Sequence, residues 1–181
     1  MISNYIESRA EKLLSESGAL TIPVNLNLCA SFLNITLNRA ILEDDVSGFL
    51  LLEGDTANIG YNHTHKEHRF RFTIAHEIGH FILHKKNARL FVEKSQKREE
   101  KIMFRDSSSS TGEYIKEREA NSFAAALLMP RKAVESKVAL SNKVYDEDLI
   151  DELAEEFNVS RQAMGIRLSN LGIVDYDSLT K

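Results

Sequence analysis

Thr73-Ile74-Ala75-His76-Glu77-Ile78-Gly79-His80-Phe81-Ile82-Leu83-His84 is the stretch on which the reading of this chain turns. Its apolar residues, Ile74, Ala75, Ile78, Phe81 and Ile82, carry the spacing of a helix packed into a protein body. Positions four apart lie on one face of a helix, one turn above each other, so His76 and His80 can present their imidazoles to a single ion. Glu77 projects beside that face. H-E-x-x-H on a helix is the arrangement of a hydrolytic zinc site: two imidazole ligands, and a carboxylate suited to act as general base toward a water whose pKa zinc lowers to about 7. An amphipathic helix alone would account for the apolar residues, but not for two histidines and a glutamate at this spacing.

A third ligand is needed to complete such a site, and the chain supplies candidates downstream. Glu113 to Met129 reads as a strong helix, rich in alanine and leucine and stopped by Pro130. The small residues Ala120, Ala124 and Ala125 permit a second helix to come close. Glu117 and Asn121 are four apart and share a face that Ala124 and Leu128 continue inward. A carboxylate at the head of a buried face needs a partner for its charge, and a zinc ion already holding two histidines is one. Asn121 is then placed to hydrogen-bond the far nitrogen of a ligand histidine and fix its tautomer. Glu119 and Glu113 remain alternatives to Glu117 as third ligand; Glu117 is favoured over Glu119 because only it shares the Asn121 face, and Glu113 sits at the helix start, where an acid is favourable in any case.

Together, H-E-I-G-H-F-I-L-H and the later E-R-E-A-N-S-F-A-A-A-L-L-M-P resemble the ImmA/IrrE family of bacterial and phage metallopeptidases. Val46-Ser47-Gly48, Phe72-Thr73-Ile74-Ala75 and the C-terminal segment extend the likeness. The resemblance implies zinc held by His76, His80 and Glu117, with Glu77 as catalytic base in a thermolysin-like layout. It also implies a protein substrate, a helix-turn-helix repressor whose cleavage relieves repression, and a setting in gene regulation or a mobile element.

The rest of the chain frames that site. With 181 residues, one domain, or one with a small appendage, can bury a full core. A net charge of −4 argues against a general nucleic-acid binder. No apolar run approaches the ~20 residues that span a bilayer, and the first residues lack a signal-peptide pattern, so a cytoplasmic protein is expected. The single cysteine, Cys29, forms no internal disulfide. Helical spacing runs from Ile2 to Leu14 with Gly18 as a stop, and Asn25 suits an N-cap for a short helix over 26–33. Strands are expected over 35–42, 49–52 and 57–61, as a small antiparallel sheet whose last strand, if it is an edge, can pair with an extended substrate. His63, His65 and His68 lie between that strand and the motif helix, in a segment expected to be solvated and mildly basic through Lys66, Arg69 and Arg71.

Residues 85–112 lose all pattern and read as a long loop, of the kind that often carries function; within it Ile102-Met103-Phe104 is a brief apolar patch. Beyond residue 140, a helical segment over 148–172, with Ser160 as N-cap, has a helix-turn-helix outline. Between Asp146 and Lys181 there are nine acids against three bases, a balance that repels phosphate and makes direct DNA binding unfavourable. The expected fold is therefore α+β: a small antiparallel sheet packed on a helical body, the metal site between two central helices. The expected organisation is a metallopeptidase unit over 1–140 followed by a helical segment over 141–181. His84 and Tyr114 are the weak candidates for stabilising an oxyanion.

Overall fold

The computed structural model describes residues 3–43, 45–53, 56–84, 90–94, 109–141 and 147–174. It is an α+β fold with helices α1 (Asn4–Ser17), α2 (Leu26–Phe32), α3 (Glu67–His84), α4 (Ser109–Leu128), α5 (Arg131–Leu140), α6 (Glu147–Phe157) and α7 (Arg161–Asn170). Its strands are β1 (Ile35–Ala40), β2 (Val46–Glu53), β3 (Thr56–Asn62) and β4 (Leu90–Lys94). The helix boundaries follow local chemistry. Gly18 closes α1 in the left-handed conformation, φ 65°, donating its N–H to Leu14. The Asn25 side chain accepts from the amides of Asn27 and Leu28 to start α2, and Ser160 does the same for Ala163 at the start of α7.

The sheet departs from the antiparallel expectation. Its order is β1-β3-β2-β4, with β3 antiparallel to β2 but parallel to β1. Burial explains the placement of β3: Ala57, Ile59, Gly60 and Asn62 are all buried, whereas β1 is largely exposed beyond Ile35. A strand covered in this way belongs inside a sheet. Because β3 pairs on both sides, it has no open edge to offer a peptide; β1 and β4 are the outer strands. β4 itself lies within the stretch expected to be a loop, and α4 begins at Ser109, four residues before the expected start. Ile102-Met103-Phe104 falls outside the described residues.

Nor is the segment before the motif helix simply solvated. α3 already includes His68, Arg69 and Arg71. The Arg69 guanidinium donates to Ser47 Oγ at 3.2 Å and that of Arg71 to the Val24 carbonyl at 3.0 Å, fastening α3 to β2 and to the turn before α2. α3 lies close against the sheet because Gly48 carries no side chain: a Cβ there would stand 2.4 Å from Thr73 Cγ2. Ile74 and Ala75 of α3, Phe123, Ala124 and Leu127 of α4, and Leu13 and Leu14 of α1 share one apolar core with Leu50 and Ile59 of the sheet. Each fully buried large apolar side chain contributes about 1.5–3 kcal/mol. No helix among the described residues is long and apolar enough to cross a membrane.

Candidate metal centre

The site grows from the meeting of α3 and α4. Gly79, in the middle of the motif, faces Ala120: a Cβ on Gly79 would lie 3.2 Å from both the Ala120 Cα and its carbonyl oxygen. Two residues without bulk thus let the helix backbones approach closely enough for a carboxylate on α4 to reach imidazoles on α3. The alanine run implies a close approach on one side of this contact, and the glycine inside H-E-I-G-H completes it from the other.

Across that contact the side chains of His76, His80 and Glu117 converge, and one ligand atom from each falls within 4.8 Å of the others. His76 Nε2 and His80 Nε2 are 2.9 Å apart. Glu117 Oε2 lies 3.2 Å from the first and Oε1 3.1 Å from the second. Both histidine side chains are 2% exposed, whereas that of Glu117 is 51% exposed, so the cluster is walled on the α3 side and reachable from solvent on the α4 side. Glu77 is completely buried beside it.

Hydrogen bonding gives the cluster a chemical sign. His76 Nδ1 sits 2.9 Å from Asn121 Oδ1. An amide oxygen only accepts, so Nδ1 carries the hydrogen and Nε2 of the neutral ring turns a lone pair inward. There it meets the second Nε2 and a carboxylate, three atoms that a shared proton or a metal ion can hold together. The imidazoles of His76 and then His80 beside Glu117 hold its carboxyl well below the usual range, so it is ionised at neutral pH. Two nitrogens and a carboxylate make the donor set of a His₂Glu zinc site, and ligand atoms about 2.1 Å from one tetrahedral ion stand about 3.4 Å apart. The spacings here are within a few tenths of an ångström of that. The residues fit a divalent metal.

The other candidates are sorted by position. Glu119 points not to His76 and His80 but to His84, whose Nε2 is 3.4 Å from Glu119 Oε2. His84 ends α3 and is buried; that burial, with His80 nearby, pushes its pKa below the ordinary value. Glu113 and Tyr114 are exposed, and the Tyr114 ring lies under the Arg118 guanidinium at 5.8 Å. His63 is exposed, its Nδ1 2.9 Å from the carbonyl of Ala40 at the end of β1.

A helix bearing H-E-x-x-H, joined by a carboxylate from a second helix beside a small mixed sheet, is the arrangement of metallopeptidase-like proteins. The chain belongs to the ImmA/IrrE family: the family described as Peptidase_M78, IrrE N-terminal-like domain, matches residues 33–169. No curated protein gives a significant match. Among solved structures, the fold is similar to that of a Mycobacterium tuberculosis transcriptional regulator, with a TM-score of 0.61 at 18% identity over 92% of this chain and 47% of that one. The chain therefore spans about half the length of that protein.

Proposed function

We propose that this protein is a zinc-dependent endopeptidase whose substrate is a helix-turn-helix repressor, so that cleavage relieves repression. The observation that carries the reading is the convergence of His76 Nε2, His80 Nε2 and the Glu117 carboxylate within 4.8 Å of one another. His76, His80 and Glu117 would hold the metal, and Asn121 would keep His76 in the tautomer that binds it. A zinc ion there supplies Lewis-acid polarisation of the scissile carbonyl and makes water acidic enough to attack at neutral pH. Glu77, next to His76 in sequence and shielded from bulk solvent, accepts the proton of the attacking water and returns it to the leaving amine. The half-exposed Glu117 side of the cluster leaves room for a peptide to approach, which a closed structural zinc site does not need. A repressor substrate also implies that the protein works where the DNA is, in the cytoplasm.

The DNA-binding alternative through α6 and α7 is less well supported. Of the two arginines on α7, Arg161 lies 3.1 Å from Asp151 and Arg167 is only 1% exposed, so neither stands ready for phosphate. A regulator with purely structural zinc is separated from the peptidase by Glu77→Gln, which spares the ligands and removes the base. The variant is expected to keep its metal, measured by elemental analysis, and to lose cleavage of the co-expressed repressor by about 10²–10⁴-fold. Repressor loss that persists at the original rate in that variant overturns the peptidase reading.

A further inference from the structure

His68, Phe72, His76 and His80 succeed one another at four-residue intervals and so lie along one face of α3. Followed away from the metal cluster, that face opens into a groove of about 380 Å³, within the range of small ligand pockets. Phe72, one turn before His76, forms its near wall, the two rings 6.2 Å apart. Leu128 and Met129, at the end of the helix that carries Glu117 and Asn121, form the floor, and Val159, Ala163 and Ile166 form the far wall. Ile166 is 44% exposed, an apolar side chain turned outward at the rim.

That far wall is fixed in place. The Arg167 guanidinium donates from Nε to the Met129 carbonyl at 2.9 Å and clasps Glu7 through both terminal nitrogens, Nη2 to Oε2 at 3.0 Å. In the turn before α7, Asn158 stands in the left-handed region at φ 51°, and its side-chain amide donates to Glu67 Oε1 at 2.9 Å, at the first residue of α3. α7 is therefore tied to the end of α4 and to the start of α3, the two helices that build the metal cluster.

We propose that this groove is the specificity subsite of the peptidase, seating one large apolar side chain of the peptide being cut, such as leucine, isoleucine, phenylalanine or methionine. The inference rests on the peptidase reading of the cluster. Its occupant follows from continuity: Leu128 continues the Glu117–Asn121 face of α4, so a chain seated on the open Glu117 side of the cluster and running toward the start of α3 enters the groove at Phe72. Phe72 and His68 precede His76 by one and two turns, about 6 and 12 Å, which an extended peptide covers in about two to four residues. Most of the lining is apolar, and Arg69, which also lines the groove, turns its guanidinium to Ser47 Oγ, so the side chain it takes is apolar. The C-terminal helix pair thereby serves substrate choice.

The test uses zinc-loaded protein carrying Glu77→Gln and a synthetic random decapeptide library as probe, with retained peptides eluted and sequenced. Retained peptides are expected to be enriched at least fivefold in large apolar residues, and Ile166→Lys in the same background to bring that enrichment below twofold. Gln162→Trp, which caps the groove from an exposed position, is the second variant, and melting curves of both establish that they fold. Enrichment that survives both variants, or a library from which nothing is retained, overturns the proposal. So does sedimentation in which Ile166→Lys turns a dimer into a monomer, because the groove then seats a second copy. If enrichment behaves as expected but protein with Glu77 intact leaves the retained peptides uncut, the peptidase reading fails while the subsite stands.

Discussion

Between α3 and α4, His76, His80 and Glu117 bring two imidazole nitrogens and a carboxylate to within 3.2 Å of each other. Where α7 meets α1 and the end of α4, Arg167 and Glu7 bring opposite charges together with both ends of the carboxylate engaged. Both are polar clusters on helix pairs, the second buried throughout and the first open at Glu117, and the groups taken out of water cost free energy in each. The second repays that cost from within the chain: a guanidinium, a carboxylate and the Met129 carbonyl satisfy one another. The first brings one carboxylate and two imidazole nitrogens to a single point, where one divalent cation satisfies all three donors at once. Burial by itself therefore does not distinguish a candidate metal centre from a clasp; the kinds of atoms that converge do.

The sharpest way to break this contrast is to remove a donor from the metal cluster. His80→Ala is expected to abolish stoichiometric zinc binding, read by elemental analysis after dialysis, and with it all cleavage. A variant that stays fully loaded would show that the cluster does not hold the metal. Next comes the clasp. Arg167→Ala leaves Glu7 buried without its counter-charge and should cost about 3–5 kcal/mol, a fall in melting temperature of roughly 6–20 °C. Replacing both Glu7 and Arg167 by methionine should recover much of that loss, whereas no apolar pair can restore zinc to the first cluster. A melting temperature unchanged in Arg167→Ala would remove the clasp from the comparison.

Asn121→Ala tests a smaller contribution at the first cluster. It leaves all three donors in place and frees the His76 ring, so zinc affinity should fall about 10–100-fold with the ligand set intact, measured by competition with a chelator. The smallest effect belongs to a group outside both clusters. Burial pushes the Cys29 thiol up to about 11, against the weaker help of Ser17. The folded protein therefore keeps this proton at a pH where the unfolded chain has released it. The contribution is fully present below the ordinary thiol pKa of about 8.5 and is lost as pH rises through about 11. Cys29→Ala should flatten the alkaline decline of the melting temperature, and the native thiol should resist a thiol reagent at pH 8.

How much of this was legible in advance differs between elements. H-E-x-x-H and the Glu117–Asn121 pair lie four residues apart on their own helices, so a single helical period exposes them as faces. The caps Asn25, Gly18 and Ser160 were legible for the same reason, since each acts on amides or carbonyls within a few residues. β4 was not: its five residues sit in a charged stretch without alternation, and pairing with β2 decides them. The mixed sheet was missed because strand order depends on which faces are covered, and Ala57, Ile59, Gly60 and Asn62 reveal nothing of that by their types. The reach of Arg69 to Ser47 and of Arg71 to Val24 was likewise invisible, since charged side chains near a helix start are ordinarily solvated.

The sequence by itself determined which atoms are available for chemistry and on which helical faces they stand, because that information repeats with the helix period. Only the tertiary structure decided which faces meet. The approach of Gly79 to Ala120, the choice of Glu117 over Glu119, the burial of Arg167 against Glu7 and the groove beside Phe72 all join residues dozens of positions apart. Close packing of helices and sheet fixes such encounters, and no local pattern records the partner.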